Sequence, residues 1–169
     1  MSVISFPNQD RGAQRPASPE FDVQRLTFAD AADWQRAIIG ECRRQRTLTP
    51  AVFSFLKAEG LIDRCTFLAS EAPGDAIRFR YIGMPTLRVL GRAWGRSVIG
   101  QPEEVDPHSE FAHRVGLEYA EAIGAGEALF NRFSVTELGR PFVYTQALYG
   151  WEDRGWRAVL SCIDVQTLH

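Results

Sequence analysis

The stretch from Ala76 to Gly100, AIRFRYIGMPTLRVLGRAWGRSVIG, confines the fold more than any other part of this chain. It reads as a strand, one or two helical turns, and a connection punctuated by Arg and Gly. In the strand, Ile77, Phe79 and Tyr81 alternate with Arg78 and Arg80, so one face is apolar and the other meets water or a partner. Met84-Pro85 opens a short helix carrying Leu87, Val89 and Leu90, Gly91 ends it, and Gly95 and Gly100 break up any long element that follows. The order narrows the fold and identifies no reaction.

The flanks supply the remaining elements. Residues Met1 to about Gln24 carry Pro7, Pro16 and Pro19 among polar residues and predict a flexible arm over 1–24. From Thr27 the pattern changes: Thr27 or Asp30 can cap a helix, and Trp34, Ile38 and Cys42 recur at four-residue intervals beside Ala37 and Ile39, ending near Gln45. A second helix is predicted from Thr49 as N-cap and Pro50 as its first residue, through Phe53 and Leu56 to a stop at Gly60. Cys65 to Ser70 is short and apolar enough for a strand, and Pro73-Gly74-Asp75 signals a turn before Ala76. A long helix is expected between His108 and Ile123, with Phe111, Val115, Tyr119 and Ala122 on one face. Ala128 to Thr136, Phe142 to Tyr149 and Trp156 to Val165 then read as three strands of an antiparallel meander, with turns at Leu138 to Pro141 and Glu152 to Gly155. The resulting division is an arm over 1–24, helices over 25–60 and an α+β core over 61–169.

Bulk properties exclude several classes. A chain of 169 residues suits one domain with an appended segment, and a hydrophobic fraction of 45% excludes disorder throughout. Net charge is -2, and the basic and acidic residues are mixed rather than blocked, so no nucleic-acid partner is expected. The densest basic run, Arg43, Arg44 and Arg46, falls where cations complement a helix C-terminus. No apolar run approaches the roughly 20 residues that span a bilayer, and the N-terminus has no signal-peptide order, so a cytoplasmic protein is expected, without membrane contact. Cys42, Cys65 and Cys162 are widely spaced and lack a C-x-x-C pair, which reads as buried thiols.

From about Ala51 to Val165 the order of elements resembles a PAS domain, specifically the divergent single-domain bacterial group in which a PAS core follows N-terminal helices. The resemblance is carried by Phe79-Arg80-Tyr81-Ile82-Gly83, similar to the second core strand with its closing glycine. It is carried further by Leu90-Gly91-Arg92 with Gly95-Arg96 to Gly100, and by the last hairpin around Trp151 to Trp156. It implies a five-stranded antiparallel sheet with helices on one face, preceded by N-terminal helices, and a potential ligand cavity between sheet and helices. It also implies sensing or protein interaction in signal transduction, usually by a dimer. Only four residues follow Val165, so no attached output domain is expected, and a separate signalling protein would receive the signal.

The chemistry of the family's sensors is testable on residues. Flavin photosensors of the family use a reactive cysteine in an Asn-Cys-Arg motif after the second strand, and this chain has no cysteine between Cys65 and Cys162. The cysteine-linked chromophore of the xanthopsin type lacks its thiol for the same reason. Haem could be ligated by His113, on the long helix that supplies the proximal histidine in oxygen-sensing relatives, but His113 shares a face with Leu117 and Ala120 rather than with the apolar stripe. Glu103, Glu104, Asp106 and His108 fit no metal-ligand spacing and are expected to sit at the positive end of the following helix. Phe79, Tyr81, Trp94, Phe133 and Tyr144, with His113, form the candidate ligand-binding set; the aromatics can equally fill a core. No catalytic or metal-binding residue is assigned.

Two further expectations follow. The apolar stripe Trp34, Ile38, Ile39 and Cys42 lacks an obvious seat, which predicts a homodimer packed through that helix. Against the sensory module stand an interaction scaffold with a filled core, and a small cone-shaped α+β enzyme, for which His113 and Asp164 would be the polar groups in the cavity.

Overall fold

The computed structural model describes residues 21–106, 109–136 and 141–168. Strands β1 (Phe21–Arg25), β2 (Cys65–Ala69), β3 (Arg78–Tyr81), β4 (Ala128–Val135), β5 (Phe142–Asp153) and β6 (Trp156–Leu168) form one antiparallel sheet in the order β1-β4-β5-β6-β2-β3. The α+β class is as expected, and the last three strands are the expected meander. The hairpin between β5 and β6 turns on Arg154 (φ 51°) and Gly155 (φ 83°), the two left-handed residues of a tight I′ turn. Of the other turn, residues 137–140 lie outside the described residues.

The sheet has six strands rather than five because Phe21–Arg25, read as the end of the arm, is a strand on β4. Phe21 and Val23 pack on the core, while Arg25 Nη2 meets Glu118 Oε2 at 2.7 Å and Glu121 Oε2 at 3.0 Å. Residues 1–20 lie outside the described residues.

Helices cover both faces of the sheet, not one. On the first face lie α1 (Asp33–Arg44) and α2 (Pro50–Ala58), packed through Ile38, Ile39, Cys42, Val52 and Leu56 against Phe67, Phe130, Ala147, Trp151 and Leu160. Gln35 of α1, wholly buried, donates from Nε2 to the carbonyl of Cys162 at 3.3 Å. The stripe expected to need a second subunit is therefore covered by the chain's own sheet. Trp34, on its margin, carries the Arg64 guanidinium 4.6 Å over its ring. Thr27 and Asp30 do not cap α1, since they bond each other at 3.2 Å across a 3-10 turn, Phe28–Asp30. α2 begins at Pro50 and its exit ends on Gly60, φ 66°, as the sequence predicts.

On the second face lie α3 (Met84–Leu90), α4 (Arg92–Val98) and α5 (Ser109–Ala125). α5 crosses β5 at Gly150, where an added Cβ would overlap the backbone of Ala122 and Ile123. Alternate residues of β4, β5 and β6 feed the two layers: Leu129, Leu148 and Val159 face α5, while Phe130, Ala147 and Leu160 face α1. Glu118 of α5, 1% exposed, takes Asn131 Nδ2 at 2.8 Å and Arg114 Nη2 at 2.8 Å in addition to Arg25, so its buried charge is paired. No helix among the described residues is long and apolar enough to cross a membrane.

The three cysteines are free thiols in the layer between α1 and the sheet, with Cys65 and Cys162 cross-strand partners. Burial pushes the Cys42 thiol up to about 12 and raises the other two. A thiol held above its ordinary value stays protonated and unreactive. Iodoacetamide at pH 8 is expected to modify none of the three in the folded protein and all three in denaturant, read as added mass; rapid labelling of the native protein would contradict this packing.

Candidate functional site

A cavity of about 50 Å³ lies between the second face of the sheet and α3, α4 and α5. The sheet contributes Thr66, Phe79, Tyr144, Gln146, Ser161 and Ile163. The helical side contributes Thr86, Val89 and Leu90 of α3, Trp94 of α4, and Phe111, Ala112, Val115 and Tyr119 of α5. Glu103 and Asp106, from the segment leading into α5, complete the wall. The volume is a fraction of the ~150 Å³ that holds benzene in an engineered cavity, so it matches a ligand of a few heavy atoms and leaves no room for a haem or a flavin in this conformation.

The polar groups of the cavity are unevenly satisfied. Gln146 is 2% exposed; its Nε2 donates to Ser161 Oγ at 3.0 Å, while its Oε1 has no hydrogen-bond partner among the described residues. Ser161 is also bonded to the Tyr119 hydroxyl. Burial raises the phenols of Tyr119 and Tyr144, so both remain neutral donors at physiological pH. Burial, followed by the neighbouring charges of Glu104 and Asp106, also pushes the Glu103 carboxyl up from its ordinary value. Trp94 Nε1 donates to Asp106 Oδ2 at 3.2 Å, anchoring the acidic segment to α4. Among the described lining residues there is no Lys, Arg or His.

α3 closes one side of the cavity. Its entry is pinned by Thr66 Oγ1, which accepts from the Gly83 N–H at 3.1 Å and lies 3.3 Å from Thr86 Oγ1. None of its seven residues is buried. Its exit is Gly91 at φ 93°, ψ 150°, a backbone region open essentially to glycine alone.

Of the candidate ligand-binding residues, Phe79, Trp94 and Tyr144 line this cavity. Phe133 lies beside it on β4 as the cross-strand partner of Tyr144, wholly buried and stacked on that ring with centroids 4.9 Å apart and planes 1° from parallel. Tyr81 is not in the cavity: a register irregularity between Phe67 and Leu68 turns it to the first face, where it packs on Phe67 at 5.8 Å and donates from its hydroxyl to Asp63 Oδ1 at 2.5 Å. That bond, with burial, pushes the Tyr81 phenol up to about 12. His113 is also outside. It sits in a surface depression with Gly116 and Leu117, because helical spacing sends Phe111, Val115 and Tyr119 inward and 113 and 117 outward. His113 thus does not face the cavity between the sheet and α3 to α5.

Other expectations are revised by the same geometry. Glu103 is not a helix cap: it lies in a 3-10 turn, Glu103–Val105, and its carboxyl rests against Gly116 of α5 at the cavity wall. His108 lies outside the described residues. Asp164 is half-buried in an open cleft with Asp63, Arg64 and Arg88, away from His113, so the two groups of the enzyme reading do not meet. Arg80 is paired within the chain to Glu71 at 3.3 Å, with Arg78 Nε 3.5 Å from the same carboxylate.

Gln146 escaped the sequence reading. The signal was present, since in FVYTQALY it shares the face of Tyr144 and Leu148, and an amide on an otherwise apolar strand face is the informative exception. An unpaired buried acceptor costs ~1–3 kcal/mol, against ~1 kcal/mol for the bond its Nε2 makes. Gln146→Met is therefore expected to hold or raise the thermal midpoint, by up to about 4 °C. A clear fall in differential scanning calorimetry would mean that the acceptor is already paired.

No family model matches the chain, and no curated protein matches it. Among solved structures, it is similar to the crystal structure of a PAS domain from a two-component sensor histidine kinase. The identity is 19%, over 68% of this chain and 97% of that chain, with a TM-score of 0.39.

Proposed function

We propose that this protein is a PAS-type sensory or regulatory module that holds a small molecule between its sheet and the helices α3 to α5, and passes the occupied state to a separate partner. The observation that carries this reading is the unpaired Oε1 of Gln146, a buried residue of the cavity lining. A filled scaffold core gains nothing from an orphaned acceptor at its centre, whereas a binding site keeps such a group for its ligand. The position of α3 supports the second half of the reading. Its Thr86, Val89 and Leu90 touch the cavity, and its Met84 and Arg88 line the outer cleft with Asp63 and Asp164, so a change within reaches the surface through one short element.

Native mass spectrometry of freshly purified protein, with an absorption spectrum of the same sample, tests the proposal. A protein carrying extra mass that is lost from Gln146→Met is the expected result. Bare chain mass, together with no thermal shift from any small-molecule probe, would leave the interaction scaffold as the better account.

A further inference from the structure

We propose that the open groove between the end of β3 and the helices α3 and α4 docks an acidic, amphipathic helical segment of another protein. This rests on the reading of the chain as a module with a separate partner and specifies that partner's seat; it does not depend on the cavity being filled. The charge of the groove begins in the sequence. Residues 76–102 hold five Arg and neither Asp nor Glu, in a chain whose net charge is -2. Arg78 and Arg80 are answered by Glu71, and Arg88 lines the cleft that also holds Asp63 and Asp164. Arg92 and Arg96 are exposed and form no ion pair with any described residue. Four apart on α4, they are neighbours on its surface, and like charges at that spacing disfavour the helix that carries them.

The two guanidinium groups border an apolar floor. About 580 Å³ of open space is lined there by Ile82 next to β3, Met84 and Leu87 of α3, and Ile99 next to α4. Ile99 is 45% exposed and Met84 36%. Gly95 lets α3 and α4 close at this floor, since an added Cβ would overlap Leu87 Cδ2. An amphipathic acidic helix answers both features at once: its apolar residues cover the floor and its carboxylates take the two guanidinium forks. A lipid surface fits less well, because Ile82 and Leu87 are half-buried below the rim and flat headgroups would meet Glu71 together with Arg80. α3 turns Thr86, Val89 and Leu90 to the cavity and Met84 and Leu87 to the groove, so a segment seated here touches the element that closes the cavity.

The test is fluorescence anisotropy of a fluorescein-labelled peptide of about sixteen residues, with Leu at three- and four-residue spacing and Glu along both flanks, titrated with the whole protein. A contact of this size is expected to bind at roughly 10–100 µM in about 50 mM sodium chloride. Binding should weaken about threefold at about 300 mM, since salt screens exposed pairs. Exchanging every Glu of the peptide for Lys, or every Leu for Ser, should remove it. Arg92→Glu combined with Arg96→Glu should weaken binding about tenfold or more, and Ile99→Ser about threefold. The same charge reversal at Arg43 and Arg46, exposed at the C-terminal end of α1, should leave it within about twofold. All the altered side chains are exposed, so every variant should melt within about 2 °C of the unaltered protein.

If the peptide does not bind, or binds the Arg92→Glu, Arg96→Glu protein as tightly as the unaltered one, the proposal is overturned; extra mass in the native spectrum would then leave the ligand cavity standing. Capture by phosphatidylglycerol vesicles without peptide binding would overturn it in favour of a membrane. A dimer in sedimentation that the double reversal dissolves, again without peptide binding, would give the groove to a second copy of this chain. Peptide binding lost in the double reversal, with bare chain mass in the native spectrum, would support the groove and remove the ligand.

Discussion

Replacing Gly150 by alanine is expected to lower the thermal midpoint by roughly 6–12 °C, the equivalent of about 3 kcal/mol in a chain of this size. At this point α5 lies directly on β5, and the added methyl would occupy the space of the Ala122 and Ile123 backbone. Backbone cannot swing aside as the tip of a side chain can, so either α5 lifts from the sheet or β5 bends. Both movements open the layer that holds Leu129, Leu148 and Val159. Circular dichroism followed through the thermal transition would measure the loss. A variant within about 2 °C of the unaltered protein would show that α5 does not seat at Gly150.

Phe67→Ala should have a comparable or larger effect through the other face. Phe67 is wholly buried on β2, with Phe53 of α2 at 4.8 Å and Tyr81 of β3 at 5.8 Å between ring centroids. Truncating such a side chain removes its transfer free energy and leaves a void that the rings around it fill only in part, together ~3–5 kcal/mol. Urea unfolding should show the midpoint falling with its slope unchanged. Because Phe67 faces away from the cavity, the folded fraction should retain the small-molecule response of the unaltered protein. A selective loss of that response, at unchanged stability, would mean that the two layers are not separate as described.

The legible parts of this fold were those with local signals. Pro50 and Gly60 mark the ends of α2, the spacing of Phe111, Val115 and Tyr119 marks the inward face of α5, and Arg154-Gly155 marks the last hairpin. What escaped depends on partners remote in sequence. Nothing in FDVQR states that Phe21 pairs with Val135, and the prolines before it weigh towards an arm. The second helical layer was missed for a related reason. FVYTQALY is apolar at both parities, and such continuous runs belong to strands covered on two sides, as β5 is by α1 and α5. With that recognised, the stripe on α1 has a seat and makes no demand for another subunit. Within the site, Phe79 and Tyr144 were legible as aromatics on the expected strands, whereas Trp94 lies on α4, in a stretch that Gly91, Gly95 and Gly100 make read as a connection. Tyr81 was lost to a single register irregularity, which a period of two cannot anticipate.

Burial of β5 on both faces, with hydrogen-bonded neighbours on both sides, ties the two helical layers to one cooperative unit. Neither layer can detach without wetting a strand that the other also needs, so amide protons of β5 should exchange only through global unfolding. α3 stands outside that unit, since it contributes no buried residue and is bounded by Gly83 and Gly91. Its amides should exchange by local opening, at a small part of the free energy that opens the sheet. The molecule thus joins a frame that is slow to yield to one short segment that yields readily, and that segment forms one wall of the cavity.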